Sequence, residues 1–306
     1  MTNAESVKAR LRNYAVETGC TFQEALTYYG LERTIHRISI SDYADHFVLK
    51  GGIFLYAIFD RNYERVTTDI DLLARRITNS KEEMQVVFRN ILSQNCDDAL
   101  VYDLDSISVE NITEFKEYHG LHISAVGYLD RTRVPVGIDI GFGDVIYPEA
   151  VKMEFPVILD MDVPEVNAYS LESVIAEKVE AIIHNGYLNS RYKDFFDIYI
   201  LTEKYDFAYE NLREAIVETF HNRKTEMTMN TAAFGEEFVN DYMHRTRWNA
   251  FLKKKRSLIQ ISLEEAMNRV REFVSPLLED RNRHHLYWAH KEEMWKEVKV
   301  MDEGVN

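Results

Sequence analysis

Hydrophobic and polar positions along the chain follow two periods. Residues 6–17 and 22–38 repeat their apolar side chains at helical spacing. The second stretch opens on Thr21-Phe22-Gln23-Glu24, a capping box in which threonine and glutamate satisfy orphan N–H groups at a helix start. Residues 41–47 predict a third, short helix. Residues 53–59 are apolar throughout and predict a buried helical turn or two behind Gly51-Gly52. At residues 68–73 the period changes to two: Ile70 and Leu72 face one way, Asp69 and Asp71 the other. Ser80-Lys81-Glu82-Glu83 repeats the capping signal and starts a helix running to about residue 95. Strands follow at 101–112, 121–129 and 133–141, the last two joined by a turn at 130–132.

Beyond residues 156–164, which carry two prolines, the periodicity becomes almost wholly helical. Ser170 and Gly186 bracket a helix over 171–185 as cap residues should. Further helices are predicted at 191–199, 209–220, 231–255 and 263–274, the last capped by Ser262 with Glu265. The tail past Pro276 is charged and reads as helical or frayed. Together these elements predict an α+β protein in two parts: an α/β palm with N-terminal helices over residues 1–160, and a helical lobe over 161–306. The boundary is placed at the proline-bearing segment.

A content of 46% hydrophobic residues in 306 is ample for one sizeable core or two smaller ones, and 12 glycines with 5 prolines argue against a disordered chain. The amphipathic N-terminus lacks an apolar signal core and the run 53–59 is too short to span a bilayer, so a cytoplasmic location and no membrane are expected. Cys20 and Cys96 have no metal-ligand spacing, and His284-His285 reads as a solvated feature. No transition metal is assigned.

With 36 basic and 51 acidic residues the net charge is −15, which disfavours nucleic acid at long range and favours a basic protein partner. Against that background Arg245, Arg247, Lys253, Lys254, Lys255 and Arg256, interleaved with Trp248 and Phe251, form a local basic cluster. It is either a solvated helix face or a contact for a phosphate backbone with Trp248 as a stacking surface.

The candidate chemistry sits in residues 50–73. Gly51-Gly52 lets the backbone turn sharply and leaves no Cβ to block an anion approaching the N–H groups at a helix start. Asp69 and Asp71 share one strand face, where two like charges held together are costly without a cation. Hard oxygen ligands point to Mg²⁺ bridging carboxylates and substrate phosphates. A third carboxylate, Asp139, lies between Gly137 and Gly141 on the polar face of its strand, and suits either a metal ligand or a base facing Asp69 and Asp71. Asp103 and Asp105 form a second Asp-x-Asp without a glycine turn and read as an exposed strand or turn. Asp144 reads as a turn residue.

Leu49-Lys50-Gly51-Gly52 followed by Arg65-Val66-Thr67-Thr68-Asp69-Ile70-Asp71 resembles the AbiEii/AbiGii-type toxins of the nucleotidyltransferase superfamily. Glu177-Lys178-Val179-Glu180-Ala181 resembles that family's second motif, in which a lysine contacts the nucleotide. Arg191-Tyr192-Lys193-Asp194-Phe195 resembles its third. The family's next arginine is replaced here by His184 or by nothing. The resemblance implies an Mg²⁺-dependent nucleotidyltransferase, one or two ions being held by Asp69, Asp71 and Asp139. It implies catalytic roles for these three and for Lys178 and Asp194, with Asp194 or Asp197 orienting Lys178. It also implies nucleotide contacts from Lys50, Gly51, Gly52, Arg65, Thr67 and Lys178, the nucleoside triphosphate lying between palm and helical lobe. Biologically it implies a toxin with a cognate antitoxin partner, acting on an acceptor such as the 3′ end of a tRNA. The rivals are a nucleotidyltransferase for a small molecule such as an antibiotic, and a nucleotide-binding regulatory module without turnover.

Overall fold

The structure is a computed structural model and describes residues 2–61, 67–112, 120–254, 259–279 and 285–298, the side chain of Lys254 excepted. It divides into two compact units, residues 1–144 with 150–169, and residues 145–149 with 170–306.

In the first unit, α1 (Ala4–Thr18) is capped by Asn3, whose side chain accepts from the Glu5 N–H. The next helix, α2 (Phe22–Ser39), opens with the Thr21/Glu24 box expected from the sequence. Seven strands form one mixed sheet: β1 (Phe47–Lys50), β2 (Asp69–Ala74), β3 (Leu100–Asn111), β4 (Leu121–Leu129), β5 (Thr132–Phe142), β6 (Val151–Glu154) and β7 (Glu165–Ala168). Their order is β3-β4-β5-β2-β1-β7-β6, with β2 parallel to β5 and β1 parallel to β7. Helix α3 (Gly51–Ile58) follows β1 directly, and α4 (Lys81–Leu92) follows β2 with Ser80 as its cap.

Alternation in β5 works as its sequence predicts. Val134, Val136, Ile138 and Ile140 are buried, while Gly137 and Asp139 sit on the half-exposed face. On the buried side, α2 approaches so closely that a Cβ at Gly30 would meet Val134.

Two expectations fail here. Residues 41–47 form no helix beyond a 3-10 turn at Ala44–His46, because Phe47 already belongs to β1 and pairs with Ala74. The segment 156–164 does not separate the units, because β7 follows it and completes the sheet, with Val48 opposite Asn167.

The second unit is helical as predicted, with α5 (Leu171–Asn185), α6 (Tyr192–Lys204) and α7 (Tyr209–Asn222). Ser170 caps α5 by accepting from the Ser173 N–H. The expected single helix over 231–255 is broken into a 3-10 turn (Ala232–Phe234), α8 (Glu236–Asn240) and α9 (Tyr242–Lys254), with Asp241 extended between them. Its carboxylate accepts from the His244 N–H, the kind of N-terminal contact that starts a new helix. Helix α10 (Leu263–Glu279) runs three residues past Pro276, but the described part of the tail, expected to be helical or frayed, also holds strands. Strands β9 (Leu286–Ala289) and β10 (Met294–Glu297) pair with each other, and β9 also pairs with the two-residue β8 (Phe207–Ala208). Trp288, 1% exposed, anchors this small sheet through an indole N–H donated to the Thr202 carbonyl.

Candidate active site

In the first unit, the pairing of β1, β2, β5 and β4 assembles a polar face. Lys50 lies opposite Asp71, Asp71 opposite Asp139, and Asp139 opposite His122. One step along, Asp69 is opposite Gly137, and Gly137 opposite Ser124. Because strand partners in register project to the same side, Asp69, Asp71, Asp139, His122 and Ser124 share one surface.

Two glycines make room for the acidic pair. Gly51 adopts φ +65°, and a Cβ there would collide with the Asp71 carboxylate. The Gly52 N–H donates to Asp71 Oδ2 at 3.1 Å, so this amide of the expected phosphate cradle holds a carboxylate instead. At Gly137 a Cβ would run into the Asp69 carboxylate and lie 3.3 Å from the His122 ring. Asp69 Oδ2 accepts from the Thr68 hydroxyl at 2.8 Å.

Asp139 is tied to a residue the sequence did not single out. His122 Nδ1 is 2.6 Å from Asp139 Oδ1, and its Nε2 is 3.1 Å from the Ser124 hydroxyl. A lone histidine in an alternating strand carries no motif; only the register of β4 on β5 reveals it. Among the described residues no group of three His, Cys, Asp or Glu is drawn together closely enough to hold a metal ion. Asp139 stands opposite Asp71 on the same face, and its Oδ1 is engaged by His122. The hard-oxygen pair Asp69 and Asp71 still fits Mg²⁺, which is commonly held by one or two carboxylates and completed by substrate phosphates and water.

Of the other expected contacts, Lys50 forms an ion pair with Asp144 at 2.9 Å and lies over the Tyr169 ring. Asp144 is thus more than a turn residue. Thr67 is buried and donates to the Asp69 carbonyl at 3.4 Å. Arg65 lies outside the described residues. Asp103 and Asp105 are exposed on β3, as expected.

In the second unit, Lys178 on α5 is 8% exposed and faces α6. Its Nζ is 2.6 Å from Asp197 Oδ2 and 3.4 Å from Asp194 Oδ1. Asp194 accepts a second bond from Arg191 Nε at 2.6 Å. Burial raises the Asp194 carboxyl, but Lys178 and then Arg191 outweigh it and hold the group below the usual carboxylate range. Asp194 and Asp197 have no exposed surface, and both carboxylates bind Lys178. Of the two candidates for orienting Lys178, Asp197 is the nearer partner. Where the family places an arginine near His184, Arg223 from α7 reaches Glu177 at 3.3 Å and Glu180 at 2.8 Å.

The basic cluster is only partly available. Trp248 is 1% exposed and donates to the Ile261 carbonyl, so it offers no stacking face. Arg245 is bound to Val239 and Asn240. Arg247 and Lys253 are exposed, while Lys255 and Arg256 lie outside the described residues.

The family of the nucleotidyl transferase AbiEii toxin, type IV toxin–antitoxin system, matches residues 33–269. The chain belongs to this family. It is accordingly an AbiEii-type nucleotidyltransferase of a toxin–antitoxin system. No curated protein matches the sequence. Two crystal structures from Helicobacter pylori are similar to it. One, of a protein assigned as a nucleotidyltransferase, is 14% identical and covers 87% of this chain and 94% of its own, with a TM-score of 0.46. The other, JHP933, is 12% identical and covers 85% and 99%, with a TM-score of 0.40. No helix among the described residues is long and apolar enough to cross a membrane.

Proposed function

We propose that this AbiEii-family chain transfers a nucleoside monophosphate from a nucleoside triphosphate to an acceptor hydroxyl, with Mg²⁺ as cofactor and a tRNA 3′ end as acceptor. The observation that carries the proposal is the placement of Asp69 and Asp71 on one strand face, each carboxylate seated where a glycine leaves space. Asp69 and Asp71 would hold Mg²⁺, which when bound neutralises and orients the triphosphate.

The chain's own groups do the rest. Thr68 and the Gly52 N–H fix the two carboxylates. Asp139, held by His122, receives the proton of the acceptor hydroxyl as its oxygen bonds to the α-phosphorus and pyrophosphate leaves. Catalysis on this scheme is mostly positioning and charge neutralisation. Lys178, locked by Asp197 and Asp194, supplies a fixed positive charge of the kind the family uses toward the nucleotide. An antitoxin partner follows from the family; the tRNA is supported by exposed Arg247 and Lys253 and no longer by Trp248.

Incubation of the purified chain with each α-labelled triphosphate, Mg²⁺ and total tRNA tests the proposal. Label is expected on tRNA with one or two of the four nucleotides, and none when a chelator is present from the start. Pyrophosphate release without labelled RNA would replace the tRNA by another acceptor, and binding without release would leave a regulatory module.

A further inference from the structure

Three side chains on the polar face of the first unit stand in the order of a nucleophile, a base and an orienting acid. Ser124 and His122 project from the same face of β4, and the pairing of β4 with β5 sets Asp139 opposite His122. All three residues are half-exposed. An ionised carboxylate only accepts, so the 2.6 Å contact between Asp139 Oδ1 and His122 Nδ1 puts a proton on that nitrogen. In the neutral ring Nε2 is then left as an acceptor, 3.1 Å from the Ser124 hydroxyl. A hydroxyl is a weak nucleophile until such a base, itself held in place by a third group, takes its proton.

The serine lies beside the candidate metal-binding pair. Asp69, Gly137 and Ser124 are register partners on three neighbouring strands, so Asp69 and Ser124 are two strand spacings apart, roughly 10 Å between Cα atoms. Gly137 keeps the ground between them open. A Cβ there would meet the Asp69 carboxylate and lie 3.3 Å from the His122 ring, so both groups lean over this glycine. A phosphate group bound at the carboxylates therefore stands within reach of the Ser124 hydroxyl.

We infer that Ser124 is itself an acceptor, so that the chain attaches a nucleoside monophosphate to its own β4; the inference rests on the nucleotidyl transfer proposed above. Ser124 Oγ bonds to the α-phosphorus, its proton passes to His122 Nε2, and the bond from the α-phosphorus to the pyrophosphate oxygen breaks. A phosphodiester is left on the serine. Asp139 holds the ring through Nδ1 and stabilises the charge the ring gains. A nucleotide fixed there covers the face between Asp69 and His122, so the modified chain loses room for an outside acceptor.

Two measurements on the full chain test this. In the first, metal-free protein without nucleotide is treated with a fluorophosphonate, whose phosphorus an activated serine attacks with loss of fluoride. Peptide mass spectrometry should find the adduct on Ser124, and His122→Gln should slow its formation at least about 100-fold with an unchanged unfolding midpoint. In the second, the protein is incubated with each nucleoside triphosphate, Mg²⁺ and total tRNA. Its intact mass should rise by one nucleoside monophosphate, mapped to Ser124, and Ser124→Ala should abolish the gain. An unmodified Ser124 overturns the inference: beside labelled tRNA it leaves the transfer reading standing, and beside unlabelled tRNA without pyrophosphate release it takes that reading with it. A fluorophosphonate that spares Ser124, or reacts as fast in His122→Gln, overturns the inference as well.

Discussion

Two acidic pairs, one in each unit, carry the functional motifs, and their surroundings differ. Asp69 and Asp71 are half-exposed on a sheet face and take hydrogen bonds from a hydroxyl and a backbone N–H. Asp194 and Asp197 are wholly buried and bind Lys178, with Arg191 adding a second cation. A half-exposed carboxylate is solvated whatever its partner does, whereas a buried one depends on its counter-charge. The first pair is therefore open to solvent, as the proposed metal site requires, and the second holds a lysine of the protein. Carboxylates alike in sequence should thus fail in different ways when changed.

The largest expected effect is at the sheet. Asp69→Asn and Asp71→Asn keep the shape and remove the charge, so each should lower nucleotidyl transfer by more than about 100-fold while stability stays within about 0.5 kcal/mol of the parent. Parallel assays of labelled-nucleotide transfer and denaturant unfolding check this, and full turnover in either variant would make the motif structural. At the buried pair the cost should move to stability. Asp197→Ala removes the nearer partner of a buried ammonium and leaves it only Asp194 at 3.4 Å, so it should cost about 3 kcal/mol. In a double-mutant cycle with Lys178→Ala the two losses should fall short of additivity by about 1–3 kcal/mol; simple additivity would dissolve the proposed pairing.

A smaller effect is expected between these extremes. Gly137→Ala places a methyl where the Asp69 carboxylate stands, so transfer should fall about 10- to 100-fold with unchanged unfolding, the signature of displacement by an ångström. An unaffected rate would show that Asp69 has freedom to move.

The pH dependence of stability bears on the buried pair. Asp194 is held below the ordinary carboxylate range, so its contribution to stability is present above about pH 4 and is lost as pH falls through its folded value. Denaturant midpoints measured from pH 6 down to 2.5 should decline below about pH 4, and less steeply in Asp194→Asn. An identical slope in the variant would assign the acid transition elsewhere. Smallest of all, Arg247→Glu with Lys253→Glu should slow tRNA modification about two- to fivefold and flatten its salt dependence, without touching triphosphate binding. A parental rate and salt slope would reduce these residues to a solvated helix face.

Local signals determined a large part of this molecule from the sequence alone. The caps at Thr21, Ser80, Ser170 and Ser262 lie where their side chains suggest, because a cap is satisfied within three residues of itself. The alternation that sets Asp69 and Asp71 on one face, and Asp139 opposite the buried isoleucines of β5, was equally legible, because a strand's period needs no partner. Motif residues sufficed for the family. What only tertiary structure decided depends on partners far away in the chain. His122 meets Asp139 through the β4–β5 register, 17 residues apart, and Lys50 meets Asp144 across 94. Burial of Trp248 removed a stacking face that composition alone suggested. Short strands such as β7 and β8 carry too few residues to display a period, and they became strands only by pairing with β1 and β9. Which of Asp194 and Asp197 lies nearer Lys178 was likewise left to the packing of α5 against α6, which sets Asp197 at 2.6 Å and Asp194 at 3.4 Å.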